Sequence, residues 1–301
     1  MFNNIDLNNG KVDGIDLNDS VYLTKEEYTE MSQQVIEVAQ EQLTLIDNAF
    51  PTVTANPTKK KYNYINLSDV GEAKILKRPA DAPSMSVDGS DVDVDITWKA
   101  VSFELEREDV ANSRKLGEKL DTLHARIASR MVKTLQDEAL YSKSSAFGTL
   151  GVAGQATGTF AGSDWSTTTT NIYDQVRQLI DAVPVNYRTS NGTLIVHADQ
   201  LSELYRDSWD NGTAIIQVTG GSFMAKIKAT WPELKIIASQ WVTATTATYF
   251  PNNEQVVRRV VGVTPRVIDW KEDKLSFQMI ALARDVLVVP TPSAVIAVTG
   301  I

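Results

Sequence analysis

Residues 61–106 read KYNYINLSDVGEAKILKRPADAPSMSVDGSDVDVDITWKAVSFELE, and the fold turns on what this stretch does. Tyr62 and Tyr64, and then Val92, Val94, Ile96 and Trp98, alternate with polar neighbours that include Asp91, Asp93 and Asp95. That is the period of two required of a strand with one wet face. Past Trp98 the apolar set moves to Val101, Phe103 and Leu105, and a one-residue bulge accounts for the change of parity. In between, Glu72 to Leu76 leads into Arg78-Pro79-Ala80-Asp81-Ala82-Pro83, prolines and small residues suited to an exposed tip. The stretch reads as a long, polar, two-stranded ribbon. Two strands alone bury too little to offset their ordering entropy, so such a ribbon wants a partner surface. The same alternation also fits an ordinary sheet within one domain.

Upstream, residues 1–23 are rich in Asn and Asp and carry a near-repeat, Ile5-Asp6-Leu7-Asn8 against Ile15-Asp16-Leu17-Asn18, too short to hold a core and therefore an arm. Its acids invite a calcium-loop reading, but neither register supplies both the Gly at the sixth position and the Glu at the twelfth that this motif needs. Thr24-Lys25-Glu26-Glu27 is a capping box that opens a helix carrying Tyr28, Met31, Val35, Val38, Leu45 and Ile46 and stopping near Pro51. Periodicity lets that stripe pack on its own domain as readily as on a partner.

Downstream, about residues 109–142 give the clearest helical pattern, with Leu116, Leu120, Leu123, Ile127, Met131 and Leu135 following one another by three or four as one continuous stripe. Arg114, Lys115, Lys119, Arg126, Arg130 and Lys133 on its other faces read as ordinary solvated surface. From Ser142 to about Ser166 the chain turns to Gly, Ala, Ser and Thr, which predicts a flexible loop. A helix with Ile172, Tyr173, Val176, Leu179 and Ile180 on one side follows, closed by Pro184. The pattern then becomes βαβ-like: strands at 193–196, 215–218 and 234–239, helices at 198–209 and 222–231, and two further strands at 246–250 and 256–263. The last stretch is strand-rich around Val267, Leu275, Phe277 and Met279, then Val286 to Val289 and Ala294 to Val298, and should return to pair with the first domain's sheet.

At 301 residues the chain has room for two packed units, and 43% hydrophobic with 22% charged residues is an ordinary globular composition. The absence of cysteine excludes disulfides, thiolate zinc sites and cysteine nucleophiles. MFNNIDLNNG lacks a basic start followed by an apolar run, and no stretch has the length of a membrane span, so a soluble, unexported product is expected. A net charge of −9 opposes long-range attraction to phosphate backbones and argues against sequence-reading nucleic-acid binding.

Chemistry-bearing motifs are sparse. The two histidines, His124 in the long helix and His197 at a strand-to-helix junction, have no companion at catalytic spacing, and His197 instead suits the start of the following helix. Gly220-Gly221 lacks the Lys-Ser/Thr of a phosphate loop and reads as a turn. No nucleophile elbow occurs. The Asp91, Asp93, Asp95 ladder reads as a wet strand face before it reads as a cation site. No catalytic, cofactor-binding or metal site is expected.

Taken in order, arm, helix, long hairpin, long spine helix, α/β unit and returning strands resemble the Hong Kong 97-like major capsid fold of tailed bacteriophages, also used by encapsulin nanocompartments. Closer local likenesses are Ser222-Phe223-Met224-Ala225-Lys226-Ile227-Lys228-Ala229-Thr230-Trp231-Pro232-Glu233-Leu234-Lys235-Ile236-Ile237, similar to the helix, proline and strand of the capsid apical domain, and the ending Val286 to Ile301 with Pro290, Pro292, Ala297 and Gly300, similar to the family's closing strand. The resemblance implies an α+β fold. Its parts would be an arm at 1–23, a helix and connection at 24–60, an extended β-hairpin loop at 61–106 lying over a neighbouring subunit, a peripheral domain at 107–184 and 264–301, and an apical domain at 185–263. No separate scaffolding segment is visible, and a start at Met1 speaks against its removal by a maturation protease.

The same resemblance implies a structural protein of the virion, not an enzyme. It would assemble in the host cytoplasm into pentamers and hexamers of an icosahedral shell around double-stranded DNA, bound without sequence specificity. Portal, scaffolding or decoration proteins are its implied partners, and a membrane is not. The expected inter-subunit contacts are Ile5, Leu7, Tyr62, Tyr64, Lys77, Arg78 and Trp98. Some relatives cross-link a Lys to an Asn, but neither Lys74 nor Lys77 has a matching partner, and that chemistry is not transferred. The rival readings are an encapsulin-like shell packing enzyme cargo, an enzyme built on the α/β unit, and another virion protein such as a tail-tube subunit.

Overall fold

The computed structural model describes residues 11–12, 15–16, 44–70, 86–106, 120–142, 148–272 and 276–301. Two short strands, β1 (Lys11–Val12) and β2 (Ile15–Asp16), pair antiparallel. Helix α1 (Thr44–Asn48) follows, with the carboxylate of Asp137 accepting the N–H groups of Leu45 and Ile46 at 3.1 and 3.3 Å. Pro51 interrupts the helical run and the chain extends as β3 (Thr52–Thr54). The ribbon is β4 (Lys61–Val70) against β5 (Ser86–Asp95), antiparallel from Lys61↔Asp95 to Val70↔Ser86. Next come β6 (Thr97–Glu106), the long helix α2 (Leu120–Tyr141), α3 (Val152–Gln155), β7 (Gly158–Ala161) and α4 (Ile172–Asp181). The α/β stretch holds β8 (Gly192–Val196), α5 (Ala198–Glu203), β9 (Ser208–Asp210), β10 (Ile215–Gln217), α6 (Phe223–Thr230), β11 (Lys235–Ala238) and β12 (Thr246–Pro251). Two long strands, β13 (Arg258–Glu272) and β14 (Ser276–Val288), and a last short one, β15 (Ile296–Thr299), complete the order.

The chain divides into two units, one drawing on residues 1–48, 98–138 and 263–284, the other on 49–97, 139–262 and 285–301. In the first, Leu105 of β6 and Val267, Phe277, Met279, Ala281 and Ala283 of the long strands pack with Ala125, Ala128 and Val132 of α2. Val101 and Phe103 flank this core, so β6 alternates as its sequence predicts. Strands β3, β13, β14 and β6 are hydrogen-bonded in that order, with β3 parallel to β13.

The second unit is built on a five-stranded mixed sheet ordered β11-β8-β12-β15-β7. Every residue of β8 is buried, which is why Thr193 to Val196 reads as a nearly unbroken apolar run rather than an alternation. Helix α4 turns Ile172, Val176, Leu179 and Ile180 inward, and α6 turns Phe223 and Ile227 inward. Each such fully buried side chain contributes about 1.5–3 kcal/mol. Local side chains cap these helices: Asn171 accepts from the Asp174 N–H, and Ser222 from the Ala225 N–H. A buried ion pair closes the base of the long strands, Arg259 reaching Asp285 at 2.9 Å through Nε and 2.8 Å through Nη2. Such a pair tolerates no loss of one partner, because the other charge is then left in the interior.

Several features depart from the sequence reading, among them the helix expected at 198–209, which ends at Glu203 and gives way to β9 from Ser208. The ribbon stops at Asp95, and the parity change past Trp98 arises because Ile96 turns the chain from one sheet to the next, its N–H bonded to the Lys60 carbonyl at 2.9 Å. Strand β15 does not pair with the strands of residues 61–106 but lies between β12 and β7. The Gly- and Thr-rich residues 148–166 are ordered, carrying α3, β7 and a buried Trp165. Their small side chains serve close approach: a Cβ on Gly158 would run into the Ile296 side chain and within 2.9 Å of the Val295 carbonyl oxygen.

Candidate assembly surfaces

Because β4 and β5 alternate, the ribbon has two chemically distinct faces. On one, Tyr62, Tyr64 and Val94 pack against the buried Ile96, Val260, Val286 and Val288, all in the second unit. The guanidinium of Arg258 lies over both tyrosine rings, 5.1 Å from one centroid and 5.2 Å from the other, and its buried Nε has no hydrogen-bond partner among the described residues. The cation thus holds the base of the ribbon through π faces. On the opposite face stand Asp91, Asp93 and Asp95, with Asn63 donating to Asp93 at 3.0 Å and Lys61 3.6 Å from the same carboxylate. Ile65, directly across from Asp91, is 59% exposed.

Of the residues expected at contacts between copies, Tyr62 and Tyr64 are half-buried at the ribbon base, with an aromatic face each against their own chain. Trp98 is the second residue of β6, in the first unit, and is 53% exposed, the Arg284 guanidinium 5.1 Å from its ring centroid. Ile5, Leu7, Lys77 and Arg78 lie outside the described residues.

Helix α2 holds the feature that the sequence reading missed. Leu123, Ile127 and Met131 are 48%, 50% and 54% exposed, so the apolar stripe faces outward. The buried side carries Ala125, Ala128 and Val132 together with Ser129, Lys133, Gln136 and Asp137. Neither atom of the Gln136 amide has a hydrogen-bond partner among the described residues. The signal lay in the alanines: small residues at 125 and 128, with Val132 one turn on, let the helix lie close on a sheet, which the bulkier Leu and Met face does not. Arg126 and Arg130 are exposed beside the stripe, with no carboxylate in ion-pair reach among the described residues.

Nothing catalytic assembles among the described residues. His124 stacks on Phe103 with centroids 6.4 Å apart, and His197 caps α5, its Nδ1 accepting the Asp199 N–H at 3.2 Å. Gly220 and Gly221 take φ of +100° and +88°, the left-handed conformation of a turn. A shallow polar cleft of about 380 Å³ is lined by Ser163, Thr167, Thr170, Asn171, Asp174 and Gln178. Its carboxylate, Asp174, is engaged by Asn171 at 2.6 Å and Arg177 at 3.7 Å. No group of metal-ligating side chains and no helix long and apolar enough to cross a membrane occurs among the described residues.

No protein-family model matches the sequence, and no curated protein resembles it significantly. Solved structures do. A virus-like particle from Pyrococcus furiosus superposes with a TM-score of 0.65 at 12% identity, covering 91% of this chain and 99% of that one. The capsid of the Myoviridae phage XM1 gives 0.69 at 10% identity over 86% of this chain and 92% of its own, and the capsid of a native GTA particle gives 0.65 at 12% over 87% and 90%. The fold is therefore the α+β fold of phage capsid proteins, shared across nearly the whole chain.

Proposed function

We propose that this chain is the major shell subunit of a bacteriophage head, a structural protein that self-assembles through pentamers and hexamers into an icosahedral container for double-stranded DNA. The observation that carries the reading is the capsid-protein fold spanning 86–91% of the chain in capsids and in a virus-like particle. The mechanism follows from surface physics. A two-stranded ribbon is marginal in isolation, and burying its free side on sister copies stabilises it. Many modest contacts, each made when neighbours are already held nearby, give a durable shell without a strong single interface. A net charge of −9 favours a wall that leaves packaged nucleic acid unbound. Arm residues Ile5 and Leu7 and tip residues Lys77 and Arg78 are proposed as further contacts, along with Tyr62, Tyr64 and Trp98.

Electron microscopy of the purified product tests this: closed particles tens of nanometres across are expected. A persistent monomer that turns over a small molecule would overturn it. A second reading, a compartment filled with enzyme cargo, rests on the likeness to the archaeal virus-like particle. Nuclease-protected DNA inside purified particles favours the head, and co-purifying protein cargo favours the compartment.

A further inference from the structure

The turn that joins β9 to β10 gathers a nucleophile, a base and an oxyanion site on five consecutive residues. The two strands pair antiparallel with Ile215 opposite Asp210, and the exposed residues 211–214 cross between them. That crossing opens with Asn211-Gly212. An asparagine side-chain amide can be attacked by the backbone nitrogen of the next residue, and a glycine there leaves the five-membered ring unobstructed. Gly212 stands at a φ of +83°, and a Cβ on it would meet no atom within 4 Å, so the space around this nitrogen is open.

The hydrogen bonds suit that attack. Asn211 Oδ1, where negative charge develops as the amide carbon becomes tetrahedral, accepts the N–H groups of Thr213 and Ala214, both at 2.9 Å. Two backbone donors on one acyl oxygen stabilise such an oxyanion. The Gly212 N–H, whose proton must leave, donates to Asp210 Oδ1 at 2.8 Å, a separation at which a carboxylate can act as general base. The Asn211 N–H donates to the Ala214 carbonyl at 3.2 Å and ties the turn on its other side.

We propose that Asn211 is a self-modification site, at which the Gly212 nitrogen closes on Asn211 Cγ and the side-chain amide becomes a carboxylate. The bond between Gly212 N and Asn211 Cγ forms, and the bond from Cγ to Nδ2 breaks. Asp210 takes the proton from the attacking nitrogen and returns it to the leaving group, which departs as ammonia. The cyclic imide that remains is opened by water at either of its carbonyl carbons. Opening at Cγ leaves aspartate, and opening at the main-chain carbon leaves isoaspartate, with one more carbon in the backbone of the turn. Either product sets a new negative charge next to Asp210, and isoaspartate also displaces Ile215 from its pairing. Ile215 is 73% exposed, so this one-way change of charge and shape falls on an exposed apolar tip. The inference does not depend on the shell reading and needs only the folded chain.

The structure describes one other Asn-Gly pair, and it serves as the internal comparison. Asn191-Gly192 leads into β8, where Gly192 is buried and a Cβ on it would fall 2.5 Å from the Tyr249 hydroxyl. The Asn191 carbonyl accepts the Asn252 N–H at 3.0 Å, so this pair is held in the sheet and ring closure has no room.

The test is mass spectrometry of a tryptic digest after the folded protein has stood at neutral pH. Cleavage after Arg188, Arg206 and Lys226 puts Asn191 on the peptide 189–206 and Asn211 on the peptide 207–226, each the sole asparagine of its peptide. Conversion at Asn211 is expected to be about tenfold or more faster than at Asn191, with isoaspartate detected by methyl transfer from an isoaspartyl methyltransferase. In urea the two should convert at similar rates. Asp210→Ala should slow conversion at Asn211 in the folded protein about tenfold and leave the rate in urea unchanged. Hydrogen exchange of residues 208–217 shows whether that variant keeps its hairpin, and the wild-type comparison of folded protein with urea decides the matter if it does not. An Asn211 that converts no faster folded than in urea would overturn the proposal, as would undiminished conversion in an Asp210→Ala chain whose hairpin is intact.

Discussion

The Tyr249 ring is enclosed in the five-stranded sheet, and burial alone pushes its pKa from 10.0 up to about 12. An unfolded chain releases that proton near pH 10, whereas the folded chain keeps it, so between pH 10 and 12 the native state binds more protons. Stability is therefore complete below pH 10 and falls as pH rises through this window, by about 2–3 kcal/mol. Tyr141, whose pKa is also raised by burial, partly offset by its hydrogen bond to Thr248, adds to the same slope. Replacing Tyr249→Phe should keep the packing and flatten part of the alkaline loss, read from urea midpoints of the subunit at pH 9, 10.5 and 11.5. Parallel slopes for the two proteins would show that the phenol is not the responsible group.

Among the elements, the ribbon base depends on a cation lying over two neighbouring rings. Arg258→Ala removes contacts worth about 0.5–2 kcal/mol and should speed amide hydrogen exchange in residues 61–65 and 91–95 by about 2–30-fold, with Arg258→Lys falling between. Unchanged exchange would mean that Val94 and Ile96 anchor the ribbon alone. Much of this element was legible beforehand. Strict alternation through Val92, Val94 and Ile96 gave the strand and its wet face, and the parity change at Trp98 marked a real junction, though of a different kind from a bulge. A one-residue register break and a passage from one sheet to another leave the same sequence trace, because both reverse which side is inward. The helices and strands of the α/β stretch were legible for a similar reason, since Pro184 and Pro232 punctuate them in sequence. Helix α2 was legible as a helix but not in its orientation. Hydrophobic periodicity reports which residues share a face, and burial of that face within the chain is an additional assumption that Leu123, Ile127 and Met131 do not meet. The candidate contacts were read only as residues on strands; their burial against the chain's own strands, as at Tyr62 and Tyr64, needed the tertiary structure.

For the whole molecule the decisive detail is the order in which strands of the second unit are made. Strand β15, residues 296–299, separates β12 from β7 and pairs antiparallel with one and parallel with the other. Every other strand of that sheet lies upstream, so without β15 the sheet is two pieces with two raw edges. A chain stopped after residue 290 should lose the protease resistance of the stretch from Gly192 to Pro251, which intact protein should keep under limited digestion. Equal resistance would mean that the sheet closes without β15. Translation thus delivers the piece that bridges the sheet last. Until residues 296–299 have left the ribosome the second unit cannot join its sheet, and its fold is finished only with the last of its strands.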